Sequence, residues 1–353
     1  MRLRAQRLYP MASREETVGV VRSLCGVNAQ FRPAMTLSLR ARIRGLELRD
    51  ILGLIDDRRT LIRTWAMRGT MHLLFRDDAD LILPLVGPPA IAKLKSRRRE
   101  LGLDEEKLGR GLREIKTILG NSGPLTRDEL VERLNDRGLV IERKSQAPYH
   151  LIACAGLKGI IVLGPDRPGG EQTYALADHP AGKSEPKEEA LAELAERYLK
   201  GYGLAGVADF ATWSGLPAAD AKKGWARLRE RGLLEDILVE GRVLTALDAE
   251  PAPESPVVNL LPAFDTLILG YSGRELVVPT KYYKEVYHGG QTVPVVLVNG
   301  EAAGVWRYEI KGGRIGLEVR PFEPLDQSVR DLVKAEVEDI GRFFELYPAI
   351  SWK

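Results

Sequence analysis

Three helical segments followed by two short strand-like runs occur twice in the middle of the chain, and that order leaves few folds open. Residues 109–123, GRGLREIKTILGNSG, carry Leu112, Ile115, Ile118 and Leu119 at the period of an amphipathic helix. Thr126 and Glu129 form a capping-box pair that opens TRDELVERLNDRG, and Gly138 ends it. Residues 145–156 supply the third helix. GIIVLG and EQTYALA then read as strands around the turn from Pro165 to Gly170. Three short helices with a two-stranded wing make a winged helix.

The order returns at 186–203, PKEEALAELAERYLKGYG, followed by VADFATWSG and by PAADAKKGWARLRERG (217–232). Pro217 suits a first helical turn, and Gly232 stops the segment. LLEDILVEGRVLTAL adds two strands joined near Glu240 and Gly241. The first third fits the plan less cleanly: a helix over about 14–27 carries Val18, Val21 and Leu24, another covers about 48–57, and TWAMRGTMHLLF reads as a strand. From about 255 the texture becomes β-rich, in VVNLLPAFDTLILGY, ELVVPTKYY, TVPVVLVNGEAAGVWRYEI and RIGLEVRPF. Asn299-Gly300 is a hairpin signal, and an amphipathic helix over 327–346 covers these strands. The expected fold is α+β: three tandem winged-helix units, at 1–105, 106–180 and 186–248, then a small C-terminal β-barrel at 255–353. DAEPAPESP (248–256) is the expected linker.

Composition narrows the function classes. A chain of 353 residues with 44% hydrophobic and 29% charged residues is an ordinary folded protein. It has no run of about 18 apolar residues, hence no expected membrane span. Its start lacks a signal-peptide core, so a cytoplasmic, nucleoid-associated monomer is expected. Cys25 and Cys154 make no disulfide framework and are expected reduced and buried. Gly201 to Gly206 match GxGxxG, but a helix delivers that loop where a dinucleotide site needs a strand. AGKS (181–184) lacks the first glycine of a phosphate loop. His72, His150, His179 and His288 are scattered, so no metal and no cofactor are expected. Asp56-Asp57 and Asp77-Asp78 read as caps or solvated charges.

The net charge of +3 conceals a polarised chain: residues 1–120 carry +10 and the remainder −7. That asymmetry points to a polyanion. Lys93, Lys95, Arg97, Arg98 and Arg99 form one basic cluster, and Arg58, Arg59, Arg63 and Arg68 another. Arg143 and Lys144 precede the segment expected to be a recognition helix. Guanidinium forks suit phosphate oxygens, so all of these are candidate contacts to the backbone of double-stranded DNA. Solvated helix faces are the alternative.

In LCGVNAQFRP (24–33), Asn28 and Gln30 flank Ala29. In an extended chain, residues two apart face the same way, so both carboxamides would address one space. In a helix they would diverge by about 200°. The simpler alternative makes Asn28 a helix cap and leaves Gln30 exposed.

Together, SLCGVNAQ, RTWAMRGTMHLL, RYLKGYGLAGVADFATWSGL, NLLPAFDTLILGY and VLVNGEAAGVWR resemble the tandem winged-helix DNA-binding family typified by the bacterial glycosylases AlkZ and YcaQ. The resemblance runs through nearly the whole chain. It implies a C-shaped protein of three winged-helix units and a β-barrel that excises alkylated bases, N7-alkylguanine included, and in some members unhooks interstrand crosslinks. The family motif is Gln-x-Gln or Gln-x-Asp; here it reads Asn28-Ala29-Gln30. Gln30 would hold the water and Asn28, one methylene shorter than the family's Gln, would assist it. The departure at Asn28 leaves two expectations, a monofunctional DNA glycosylase acting on damaged DNA or a DNA-binding protein without chemistry.

Overall fold

The computed structural model describes residues 1–178, 186–247 and 255–353. AGKS and His179 lie outside them, as does most of the expected linker. The middle of the chain follows its local signals. Helices run over Glu105–Ser122, Arg127–Asp136 and Ala147–Leu157, and strands Ile161–Leu163 and Thr173–Leu176 pair antiparallel. The capping box forms as expected: the Glu129 amide donates to Thr126 Oγ1 (3.3 Å) and the Thr126 amide to Glu129 Oε2 (2.8 Å). Helices Lys187–Tyr202, Val207–Ser214 and Ala218–Glu230 then lead into the hairpin of Glu235–Val239 and Arg242–Ala246. The GxGxxG stretch is the turn between the first two of these, with Gly203 at φ 67° closing the helix.

The first third departs from its expectation in two places. The helix expected over 14–27 ends at Ser23, because Cys25 (φ 52°) and Gly26 (φ 101°) turn left-handed. A Cβ on Gly26 would fall 2.9 Å from the Leu73 carbonyl oxygen, so a side chain is excluded there. TWAMRGTMHLLF is a hairpin rather than one strand. Arg68 and Gly69 take positive φ and separate Leu61–Trp65 from Met71–Phe75. Two helices carry prolines. Pro33 sits in the first turn of Arg32–Arg40, where its missing N–H costs nothing. Ala79–Lys93 contains Pro84, Pro88 and Pro89.

The C-terminal segment forms no closed barrel among the described residues. It is an open five-stranded sheet in the order Tyr347–Trp352, Arg314–Pro321, Glu301–Lys311, Val295–Val298, Val258–Leu261. The last strand was not foreseen. It pairs parallel to Arg314–Pro321 after the crossover helix Gln327–Phe344. ELVVPTKYY is also not a strand; it forms turns, a 3₁₀ turn and the start of a short helix. The hairpin turn at Asn299 (φ 52°) and Gly300 (φ 92°) forms as expected.

Sequence segments do not own separate cores. One core joins Leu3, Leu8 and Leu74 to Leu191, Tyr198, Phe210 and Trp213, and to Leu261 and Leu297. A second joins Val20, Met35 and Leu73 to Leu260, Trp306, Leu317 and Val337. Residues 106–176 build most of a third, which borrows Trp65. Cys25 and Cys154 are free and buried as expected, and burial pushes the Cys25 thiol up to about 12.

Ions join the ends of the chain as well. Arg42, fully buried, donates from both terminal nitrogens to the two oxygens of Asp265 at 2.8 Å. Gln6, Ser38 and Thr266 complete that network. Arg40 reaches Glu336 at 2.8 Å and Asp339 at 3.1 Å.

Candidate active site

Because the helix stops at Ser23, the chain emerges extended. Val27–Asn28 forms the edge of a three-stranded sheet whose centre is Met71–Phe75 and whose far strand is Leu61–Trp65. Ala29 extends the pairing through its amide to the Met71 carbonyl (2.8 Å). Asn28 is therefore a strand residue, and the helix-cap alternative falls. The two carboxamides do share one side of the chain. Asn28 is buried and Gln30 exposed.

Their hydrogen bonds fix both amide orientations. The Gln30 backbone N–H, which can only donate, points at Asn28 (3.2 Å), so the atom receiving it is Oδ1. Asn28 Nδ2 then faces the Gln30 side chain and donates to Oε1 at 3.1 Å. An exposed Gln thus has its carbonyl oxygen held by a buried partner. That oxygen keeps a second lone pair for a water, and Nε2 keeps both hydrogens. Asn rather than Gln suits the first position, since a short side chain reaches the amide two residues on.

His72 stands opposite Asn28 in the register, with Thr64 beyond it. The Ala29–Met71 bond makes Asn28 and His72 a non-hydrogen-bonded pair, with Cβ atoms about 4.5–5.5 Å apart on one face. His72 Nδ1 lies 2.9 Å from the Thr70 carbonyl oxygen, so Nδ1 carries the proton and Nε2 presents a lone pair. Burial, with Arg68 adding to it, pushes its pKa down to about 3. The imidazole is neutral wherever the protein is folded near neutral pH. The unfolded chain, with a value of about 6.5, binds a proton that the folded protein refuses between those limits. The stability that the neutral ring permits is therefore complete above about pH 6.5 and is lost as pH falls toward about 3. Relative to His72→Gln, the parent should lose about 1.4 kcal/mol per pH unit across that window, read from urea unfolding. A parent-minus-variant difference independent of pH would refute this.

The basic residues divide. Arg59, Lys93, Lys95, Arg97, Arg99, Arg143 and Lys144 are exposed, and Arg58 is half-buried at the left-handed end of helix Leu48–Asp57. Arg97 donates to Gln146 Oε1 (3.0 Å), which brings the 93–99 cluster against the start of helix Ala147–Leu157, next to Arg143 and Lys144. Three candidates are not surface cations, a correction to the sequence reading. Arg98 is buried and donates to the Ile91 carbonyl. Arg68 donates to the Trp213 carbonyl, tying the hairpin turn to helix Val207–Ser214. Arg63 is buried in the middle of its strand.

Sequence reasoning missed His72, whose place opposite Asn28 depends on reading a hairpin where one strand was expected. It also missed two neighbours of Gln30. Phe31 is extended and exposed at 53%. Arg32 pairs with Asp166, from the turn between strands Ile161–Leu163 and Thr173–Leu176.

Residues 21–343 match the family described as DNA glycosylase AlkZ-like. A curated relative, the interstrand DNA cross-link repair glycosylase of Streptomyces sahachiroi, is 30% identical over 353 aligned positions, covering 95% of this chain and 91% of its own. The solved structure of the Streptomyces sahachiroi DNA glycosylase AlkZ matches with a TM-score of 0.83 at 26% identity, over 100% of this chain and 97% of that one. The sheet-edge amides thus lie in a chain whose whole length follows that architecture, and the protein belongs to the AlkZ-like DNA glycosylase family.

Proposed function

We propose that this protein hydrolyses the N-glycosidic bond of alkylated or crosslinked bases in double-stranded DNA, with Gln30 holding the attacking water and Asn28 orienting Gln30. The observation that carries the reading is the locked amide pair: one backbone N–H dictates where Gln30 Oε1 stands. An N7-alkylated guanine is cationic and leaves readily, while the sugar develops oxocarbenium-like charge. A carboxamide oxygen that accepts a hydrogen bond from the water aims a water lone pair at the anomeric carbon. As the C–N bond breaks and the C–O bond forms, the surplus water proton passes to solvent, so a strong base is not required. Three helix–hairpin units, divided as 1–105, 106–180 and 186–248, serve in this reading as winged helices. Arg58, Arg59, Lys93, Lys95, Arg97, Arg99, Arg143 and Lys144 supply phosphate contacts.

Incubation of excess protein with methylated DNA should release 7-methylguanine above the spontaneous rate. Binding to an undamaged duplex should weaken steeply with salt. Arg99→Ala should lower the log–log salt slope by about one and weaken unrelated sequences alike. Salt-dependent binding without any base release favours the second reading, a DNA-binding protein that has lost the reaction. That reading draws on the shorter Asn28, whose carbonyl is already committed to the Gln30 backbone.

A further inference from the structure

The chain has seven phenylalanines, and Phe31 alone among them is exposed, at 53%. Its ring joins none of the hydrophobic cores and meets no aromatic ring or cation among the described residues. Its place in the local structure also disfavours a ring. Phe31 is the N-cap of helix Arg32–Arg40: its carbonyl accepts the Met35 amide at 3.0 Å, while its side chain caps nothing. Serine, threonine, aspartate or asparagine there would satisfy one of the open amides of the first turn, which a benzyl group cannot do. Stability therefore does not account for the residue type.

Position does. The segment is held on both sides of the ring: the Gln30 backbone N–H is fixed on Asn28 Oδ1, and Arg32 pairs with Asp166. Phe31 thus stands on backbone that is set before any ligand arrives. Its φ of −125° and ψ of 112° are extended, so the ring leaves the chain on the side away from the Gln30 carboxamide. The two Cα atoms are nevertheless only about 3.8 Å apart. Consecutive bases of a DNA strand are spaced by about 3.4 Å along the helix axis, so one residue along this segment matches one nucleotide along the strand.

We infer that Phe31 stacks on the base next to the lesion while Gln30 addresses the sugar of the lesion itself. The inference rests on the proposed excision reading. Every base has a π-face, so such a contact demands no particular sequence. An apolar wedge at a base step unstacks it and kinks the duplex, which opens the damaged nucleotide to attack. The amides of Asn28 and Gln30 and the exposed cations offer no flat apolar surface for this.

The test compares the parent with Phe31→Ser and Phe31→Tyr. Each is given, in excess, two duplexes holding one N7-methylguanine, with 2-aminopurine as the base on one side of it or the other. The Tm of Phe31→Ser should stay within about 3 °C of the parent, because the serine cap offsets the half-exposed ring. Its single-turnover release of 7-methylguanine should fall about tenfold. Its salt slope should not change, since no charge is lost. Binding of the parent should brighten one of the two probes as that base leaves its stack, and binding of Phe31→Ser should brighten neither. Phe31→Tyr keeps the ring and should recover the rate to within about threefold, together with the brightening. A larger fall in Tm makes the ring a packing group and overturns the inference. Parental excision and brightening in Phe31→Ser overturn it too, as does a Phe31→Tyr protein that recovers neither. A parent that excises while Phe31→Ser matches it removes only the stacking. A parent that releases no 7-methylguanine removes the excision reading, and the probes then decide the stacking alone: brightening that is lost with serine and restored with tyrosine sustains it, and a parent that brightens neither probe overturns it.

Discussion

Gln30→Ala is expected to slow single-turnover excision by about 10²-fold or more, a barrier increase of about 2.7 kcal/mol. The side chain is exposed, and among the described residues its oxygen is held by Asn28 Nδ2 alone. Its removal therefore takes away the water-holding atom without a charge, and with it the part-buried hydrogen bond from Asn28, worth about 0.5–1.5 kcal/mol. DNA affinity and Tm should stay near the parent values. Asn28→Ala is a different perturbation. It frees the Gln30 amide to rotate and removes the acceptor for the Gln30 backbone N–H. The rate should fall by less than in Gln30→Ala, and some stability should be lost with the buried side chain. Measured per folded molecule, equal rates for Gln30→Ala and the parent would end the catalytic assignment.

The second large effect concerns stability. Asp265→Ala leaves Arg42 buried with its charge uncompensated, and should cost about 3–5 kcal/mol in urea unfolding. Gln6, Ser38 and Thr266 remain as neutral partners, but none can replace the carboxylate. The double variant Arg42→Met/Asp265→Leu should recover most of the loss, because a well-packed apolar pair also avoids the desolvation cost. A single variant within about 0.5 kcal/mol of the parent would show that solvent reaches Arg42.

Signals that act over a few residues are legible in the sequence. Thr126 and Glu129 announced a helix start, and Asn299-Gly300 announced a hairpin, because each completes its geometry within a single turn. The common side of Asn28 and Gln30 was legible only on the condition that the chain be extended. Cys25 and Gly26 meet that condition through left-handed backbone, which no hydrophobic period reports. His72 and Arg63 acquire their meaning from neighbours across a sheet, and the register depends on a turn at Arg68-Gly69 that read as continuous strand. The open sheet was misread for a related reason. Whether strands close on themselves depends on the partner of the last one, and Tyr347–Trp352 pairs parallel after a whole helix has intervened.

The pairing of Arg42 with Asp265 has a consequence for how the molecule is made. The two residues are 223 positions apart, and Gln6 and Thr266, joined in the same network, are 260 apart. At about 5–20 residues per second, the ribosome needs about 10–45 s to travel from the arginine codon to the aspartate codon. Throughout that interval the newborn amino-terminal third carries a cation whose counter-ion has not yet been polymerised, and apolar faces whose covering sheet is still messenger RNA. The middle segment, with most of a core of its own, can settle meanwhile. Completion of the first third must wait for the last, so a nascent chain stalled before residue 265 should remain protease-sensitive at its start while residues 106–176 resist digestion.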